Sequence, residues 1–170
     1  MKIKRRTQLG DGWWMEEPMT RLDATALYEG LDADEHAELA AVKCSRERFI
    51  EESVSADRSA AFFAGGVLVF GISANWIPDP FGKAGAVRIW DTMSTVAVRE
   101  RGLSRKFVEK TPLMREAFMD GEPTRKVIGV VKADFERSRK WIERCAGFAH
   151  KGDVVCYGVK HAVYEYDGEV

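Results

Sequence analysis

The 170-residue sequence predicts a mixed α/β (α+β) fold, in which one sheet of about seven strands is flanked by helices on both faces. Helix-like and strand-like segments alternate along most of the chain. Two nearly continuous apolar segments meet at Gly65-Gly66, as the central strands of a hairpin do. Two later strands are separated by a helix, so we expect them to lie parallel in the sheet. The length is that of one domain, and we expect a single domain over residues 1–170.

The first third of the chain is mainly helical by pattern. Residues 10–21 predict a short edge strand that is interrupted by Pro18, because proline cannot donate to a sheet ladder. Three helices follow, over residues 21–31, 32–42 and 45–55. Asp23, Asp32 and Ser45 are residue types that cap helix N-termini, and each stands at or near the start of one of these segments.

The remainder of the chain alternates between strands and helices. The predicted segments are a hairpin within residues 59–76, a loop over 77–85, a strand over 86–98, a helix from Ser104 with a kink or break at Pro112, a strand over 125–133, a helix over 134–148, and two closing strands within 153–168. The helix between the strands over 86–98 and 125–133 is the crossover that makes these two strands parallel.

The composition excludes several classes of protein. Lys and Arg number 26 against 27 for Asp and Glu, so the net charge gives no reason to expect binding to nucleic acid or to a membrane. No apolar run has the length of a membrane span. The three cysteines are widely spaced and the three histidines are scattered, so we expect neither a disulfide framework nor a metal site.

Residues 96–106, with the sequence VAVRERGLSRK, join the end of a strand to the start of a helix. Backbone N–H groups at a helix N-terminus point outward and carry partial positive charge, so such a junction binds phosphate well. Arg99, Arg101, Arg105 and Lys106 place four cations around this turn. Two interpretations remain open: an anion site, or a solvated helix start that happens to be basic.

The order of elements and this junction resemble the GCN5-related N-acetyltransferase (GNAT) family. Members carry V-x-P-x-x-R-G-x-G-x-G, or a close relative, at the end of their fourth strand. The corresponding residues here are Val96, Val98, Arg101, Gly102, Ser104 and Lys106. Val98 replaces the proline, whereas Ser104 and Lys106 replace the two later glycines. The segment WIERCAGF is similar to the ending of a later family helix, but the Asn and the Tyr that many members have near it are missing.

The resemblance implies that acetyl-CoA binds at these six residues and that an acetyl group passes to an amine. The amine must lose a proton, and Asp91, early in the corresponding strand, is the candidate general base. As a strand residue it lies either in the cleft or on the surface. Tyr157 is the candidate general acid in place of the missing helix Tyr, with Tyr164 as an alternative; tyrosines in such strands also serve in packing.

A narrower resemblance is to short podovirus proteins of the virion interior or head, which have the same layout and a degenerate cofactor loop. It implies a virion-associated or assembly protein with other phage virion proteins as partners, located in the host cytoplasm or the virion and not secreted. One of Trp13 and Trp14 would then be exposed as a protein contact. The alternative is an active acetyl-CoA-dependent N-acetyltransferase that acts on an amine or a protein. A regulator of host enzymes with this fold is a third alternative.

Overall fold

Within residues 3–168, the computed structural model contains six helices and one eight-stranded sheet. The strands are β1 (Arg5–Gly10), β2 (Trp13–Glu17), β3 (Arg58–Ala64), β4 (Val67–Pro78), β5 (Ala86–Ser94), β6 (Lys126–Lys132), β7 (Ala149–Cys156) and β8 (Val159–Asp167). The helices are α1 (Arg21–Glu29), α2 (Ala33–Ala41), α3 (Arg46–Ser55), α4 (Ala97–Glu100), α5 (Ser104–Met119) and α6 (Glu136–Arg144). The strand order is β1-β2-β3-β4-β5-β6-β8-β7, and only the β5–β6 pair is parallel.

The predicted fold class is confirmed, although the sheet has eight strands rather than seven. The additional strand is β1, which pairs with β2 at the edge of the sheet. Arg5 and Arg6 lie in this strand and form ion pairs with Glu17 and Glu16 of β2. Because β1 is stabilised by these charged cross-strand pairs and has few apolar residues, its sequence lacks the alternation by which strands are predicted. The strand predicted near Pro18 is β2, which lies inside the sheet and ends before that proline.

Helices cover both faces of the sheet, as predicted. One face carries α5 and α6, whose Phe107, Phe118 and Ile142 pack in the larger core. The other face carries α1 to α3, whose Leu27, Leu39 and Ile50 pack in a second core. Helix α1 crosses very close to β4, since a Cβ placed on Gly71 would lie 2.3 Å from Leu27 Cδ2. A larger residue at position 71 would require the buried Leu27 side chain to move.

The first three helices begin at polar caps. Thr20 accepts a hydrogen bond from the Asp23 amide, and the Asp23 carboxylate accepts one from the Thr20 amide, which makes a capping box. Asp32 and Ser45 cap α2 and α3 in the same way with their own side chains. The predicted caps Asp32 and Ser45 are therefore confirmed, whereas Asp23 belongs to the first turn of a helix that Thr20 caps.

The strand predicted over residues 86–98 is wrong in its end. It stops at Ser94, because the amides of Thr95 and Val96 donate to the carbonyls of Val69 and Gly30, and the short helix α4 follows at once. Of the kink or break predicted at Pro112, the break is absent, since α5 continues through this residue.

The parallel strands β5 and β6 are hydrogen-bonded through a single registered pair, Ile89 and Ile128. Within the described residues, no other residue of β5 is paired with a residue of β6. The amide of Lys132, at the end of β6, is instead within 3.4 Å of the Glu38 carboxylate of α2. The sheet therefore opens between β5 and β6, and this opening positions the candidate site.

Candidate functional site

A cavity of about 570 Å³ occupies the opening between β5 and β6. We call it the cleft. One wall is formed by α5 and α6, with Phe107 and Trp141 among its residues, and the other by α2, with Glu35 and Glu38. Residues of both open strands, including Asp91 and Val130, line the space between the two walls. The cleft therefore has walls on both faces of the sheet.

The predicted cofactor-binding residues divide into two groups. Val98 and Ser104 line the cleft, whereas Val96, Arg101, Gly102 and Lys106 are not among its lining residues. The amides of residues 101–103 donate to carbonyls of the preceding turn, which includes α4, so this part of the junction has no amides free for an anion. Gly102 has φ of 65° and makes the turn into α5.

The first turn of α5 begins without a side-chain cap at Leu103. The first amides of an α-helix have no partner inside the helix, so those of residues 104–106 point out of its N-terminus. The Ser104 side chain lines the cleft at this point. The anion-binding part of the predicted junction is therefore the start of α5 and not the loop before it.

Lys106 does not cover the helix start. Its Nζ lies 3.6 Å from carboxylate oxygens of both Asp11 and Glu109, away from the lining of the cleft. Arg105 is bound by the same Glu109, and Arg99 by Asp32. Three of the four predicted cations are thus engaged by carboxylates.

Three other cations line the cleft on the wall formed by α6. They are Arg137, Lys140 and Arg144, spaced three and four residues apart, which places them on one side of the helix. Arg137 also reaches across the cleft to Asp32 at the start of α2, with 2.5 Å between Nη2 and Oδ2. The spacing was visible in the sequence, but charged residues at that interval usually mark a solvated helix face.

Asp91, the candidate general base, lines the cleft from β5. Its side chain is exposed to solvent, and the groups that line the cavity around it limit its hydration. The incomplete hydration, together with the negative charge of Glu52, raises the pKa of Asp91 to about 6. A carboxylate with this pKa is ionised at neutral pH and is a stronger base than an ordinary aspartate.

Glu38 extends from α2 to the open edge of β6, where it accepts from the Lys132 amide. Burial raises the pKa of Glu38, and the charge of Asp91 contributes to the increase. The two carboxyl groups therefore interact across the opening between the strands. Neither the involvement of Glu38 nor that of Glu35 was predicted, because the acidic residues of α2 were interpreted as favourable charges in the first turn of a helix.

Glu35 and His161 are two buried polar residues in the cleft. Glu35 is 6% exposed and His161 3% exposed. Burial, and to a lesser extent the charge of Asp32, raises the pKa of Glu35 to about 8. Its Oε1 is 3.3 Å from the Ser94 hydroxyl, which donates to it.

The structure does not bring either candidate general acid to the cleft. Tyr157 is 63% exposed in the turn between β7 and β8, outside the lining residues. Tyr164 is fully buried in the larger core, where its hydroxyl accepts from Arg139 and donates to Glu143. Trp14 is not a free surface anchor, since it stacks on Phe63 and its ring is covered by an arginine.

The comparisons with known proteins identify the fold. No protein-family model matches the chain, and no curated protein matches it by sequence. Among solved structures, it is similar to a protein described as a GnaT-family acetyltransferase from Bordetella pertussis, with 16% identity, a TM-score of 0.67, and coverage of 95% of this chain and 99% of the other.

Two further solved structures are similar over nearly their full length. One is the Salmonella typhimurium acetyltransferase that modifies the N-terminal serine of ribosomal protein L7/L12, with 11% identity, a TM-score of 0.64, and coverage of 97% and 100%. The other is the aminoglycoside acetyltransferase AAC(6')-Ib in complex with ribostamycin and coenzyme A, with 20% identity, a TM-score of 0.65, and coverage of 93% and 94%. No helix within residues 3–168 has the length and hydropathy needed to cross a membrane. The chain has the fold of the GNAT acetyltransferases.

Proposed function

We propose that this protein is an acetyl-CoA-dependent N-acetyltransferase that acts on an amine. The observation that carries the proposal is the single cleft through the opened sheet. Its α5–α6 wall has the free N-terminus of α5 and several cations. Between the walls lies the ionised carboxylate of Asp91. The two sides of the cleft thus offer opposite charge to two different reactants.

The residues of the α5–α6 wall fit acetyl-CoA. The amides of residues 104–106 and the side chain of Arg144 would hold its phosphates, because both kinds of group bind phosphate oxygens well. Arg137 and Lys140 add positive charge to the same wall, although Asp32 and Glu136 already bind them. The pantetheine arm contains amides, and the unpaired edges of β5 and β6 present backbone groups that bind such a chain as an added strand would. Lys106 leaves the helix start accessible. Acetyl-CoA supplies the activated acetyl thioester.

Asp91 would remove a proton from the acceptor amine, directly or through one water molecule. With its pKa near 6, the carboxylate is mostly ionised at pH 7 and can accept that proton. Glu38, across the opening, adds negative charge and favours a cationic amine over other acceptors. The thiolate that leaves needs a proton from solvent or from the acceptor amine, since Tyr157 and Tyr164 lie outside the cleft.

The acceptors named for the structural neighbours include an aminoglycoside and a protein N-terminus. Both reactions transfer an acetyl group to an amine, which supports the general class proposed here. The alternative role, in the particle of a podovirus-like phage with other virion proteins as partners, stays a prediction. No comparison bears on it, and no contact in the described structure favours it.

The proposal is tested in two steps. Calorimetric titration with acetyl-CoA should give a Kd in the micromolar range, and a thiol-release assay with primary amines should then detect coenzyme A as it forms. Asp91→Asn should bind acetyl-CoA like the wild type and lose turnover, whereas Glu47→Gln, on the exposed side of α3, should change neither. Absence of binding at millimolar acetyl-CoA would refute the proposal.

A further inference from the structure

Two buried side-chain atoms within residues 3–168 lack a hydrogen-bond partner: Glu35 Oε2 and His161 Nε2. Both residues line the cleft, on elements that are far apart in the sequence. A buried polar atom without a partner is costly, and native proteins keep few of them. Because both atoms lie in one cavity, they mark a place where a ligand that displaces water can form hydrogen bonds with the protein.

The chemistry of these atoms defines the occupant. His161 Nδ1 lies 2.9 Å from the Val159 carbonyl oxygen, which can only accept, so Nδ1 carries the proton of the neutral ring. Nε2 therefore presents a lone pair to the cleft. Glu35 is protonated at neutral pH in the free protein, because burial raises its pKa to about 8. A bound cation would lower this pKa and ionise the carboxyl, so that Oε2 then accepts. A positively charged N–H donor therefore satisfies both atoms.

Glu35, Glu38 and His161 form a row. Glu35 and Glu38 are three residues apart on α2, which places their Cβ atoms about 5–6 Å from one another on one face. Glu38 accepts from the Lys132 amide, and Lys132 is the residue paired with His161 across β6 and β8. Paired residues of neighbouring strands lie about 5 Å apart. The row is therefore continuous from α2 to β8.

The cations near this row are already engaged. The Lys132 ammonium is 3.3 Å from Asp134, and Arg137 is bound to Asp32 at 2.5 Å while staying 3.9 Å from Glu35. Asp91 faces the row from β5 and adds a further negative charge. Two carboxyl groups and a neutral imidazole acceptor thus remain for a ligand that brings its own positive charge and several N–H groups.

We propose that the row of Glu35, Glu38 and His161 binds a second ammonium group of the acceptor, so that the substrate is a diamine or polyamine and not a monoamine. This inference rests on the proposed function, since the first amine is the one that Asp91 deprotonates. An ammonium group has three N–H donors and no acceptor, which matches the acceptors that the row offers once the bound charge has ionised Glu35.

The test compares 1,4-diaminobutane with n-butylamine, which has the same carbon chain and a single amine. Acetyl transfer to the diamine should have a kcat/KM at least roughly tenfold higher, as expected for hydrogen bonds between charged groups. Glu35→Gln and His161→Asn should each remove most of that preference by raising KM for the diamine, with little change for the monoamine. Asn keeps a donor near the position of Nδ1 and removes Nε2. Glu47→Gln is the matched control.

Direct binding separates this inference from the proposed function. Calorimetry of 1,4-diaminobutane with the protein alone should detect binding that Glu35→Gln weakens roughly tenfold. If acetyl-CoA binds and is turned over but the diamine has no advantage, or if the advantage survives both substitutions, the inference fails and the proposed function stands. If acetyl-CoA does not bind while the diamine does, the proposed function fails and the subsite stands. Acetylation of peptide N-termini only would also overturn the diamine subsite.

Discussion

Replacing Glu35 by Gln should stabilise the protein at neutral pH. In an unfolded chain, the pKa of this carboxyl is near 4.5, whereas burial raises its pKa in the fold to about 8. Folding at pH 7 must therefore protonate Glu35. One pH unit corresponds to about 1.4 kcal/mol, so the interval from 4.5 to 7 costs about 3 kcal/mol of folding free energy. Gln has the same shape and no charge to bury.

The direction of the pH dependence follows from the same values. Because the pKa of Glu35 is higher in the fold than in the unfolded chain, the folded state binds its proton more tightly. The wild type should thus lose stability relative to Glu35→Gln as the pH rises from about 4.5 to about 8, and the difference should then stay constant. At pH 7 we expect the substitution to add about 2–3 kcal/mol, or roughly 5–10 °C in Tm for a domain of this size.

Urea unfolding followed by tryptophan fluorescence measures this difference, since the chain has five tryptophans. Wild type and variant are compared at pH 5, 6, 7 and 8, so that contributions of other groups cancel. Glu47→Gln, at an exposed position, should give a small difference that does not change with pH. A variant less stable than the wild type at pH 7, or an equal gain at pH 5 and pH 8, would show that burial of the Glu35 charge is not what opposes folding.

Three other substitutions test the remaining features. Asp91→Asn should lower kcat by roughly 10²–10⁴-fold at unchanged acetyl-CoA affinity. In the wild type, kcat/KM should decrease as the pH is lowered through about 6, because Asp91 is then protonated. The same pH profile in the variant would exclude Asp91 as the base. Lys106→Ala should weaken acetyl-CoA binding less than about twofold and Arg144→Ala roughly tenfold. The reverse order in calorimetry would contradict the described helix start. Glu122→Gln should lower the free energy of unfolding in urea by about 3–5 kcal/mol, because it leaves the buried Arg88 without its main partner. Adding Arg88→Met to this variant should recover much of the loss. If the two substitutions destabilise the protein additively, the buried pair is not what stabilises it.

The sequence predicts those parts of the fold that local chemistry determines. Asp32 and Ser45 cap their helices as their residue types indicate, and the Gly65-Gly66 turn joins two central strands. The end of β5 could not be predicted in the same way. Residues 86–98 are β-prone throughout, and the strand stops only because carbonyls of Gly30 and Val69, distant in sequence, take the next two amides. A strand end set by tertiary hydrogen bonds leaves no local signal.

The candidate site shows the same division. Asp91 could be predicted because its position in a strand beside the junction limits where its side chain points, and it does line the cleft. Glu35 and His161 could not, since α2 and β8 approach each other only in the folded sheet. An acidic residue in the first turn of a helix is usually solvated, and a single histidine in a strand usually packs. That Glu35 Oε2 and His161 Nε2 lack hydrogen-bond partners can be recognised only in the folded structure.

The presence of a single glycine in residues 96–106 does not by itself exclude binding of a diphosphate. Glycine permits a ligand to approach a loop closely and permits positive φ, and the one position here that needs positive φ, residue 102, has kept it. The amides of residues 101–103 are used within the junction, so glycines there would free no donor for a ligand. The donors that stay available belong to the first turn of α5, where φ is helical and any residue is tolerated. Lys106 stands in this turn in place of a motif glycine. It would hinder phosphate binding only if its side chain covered the free amides, and the side chain instead points towards Asp11. The capacity to bind phosphate therefore depends on the helix start and on the cations of α6 more than on the number of glycines in the motif.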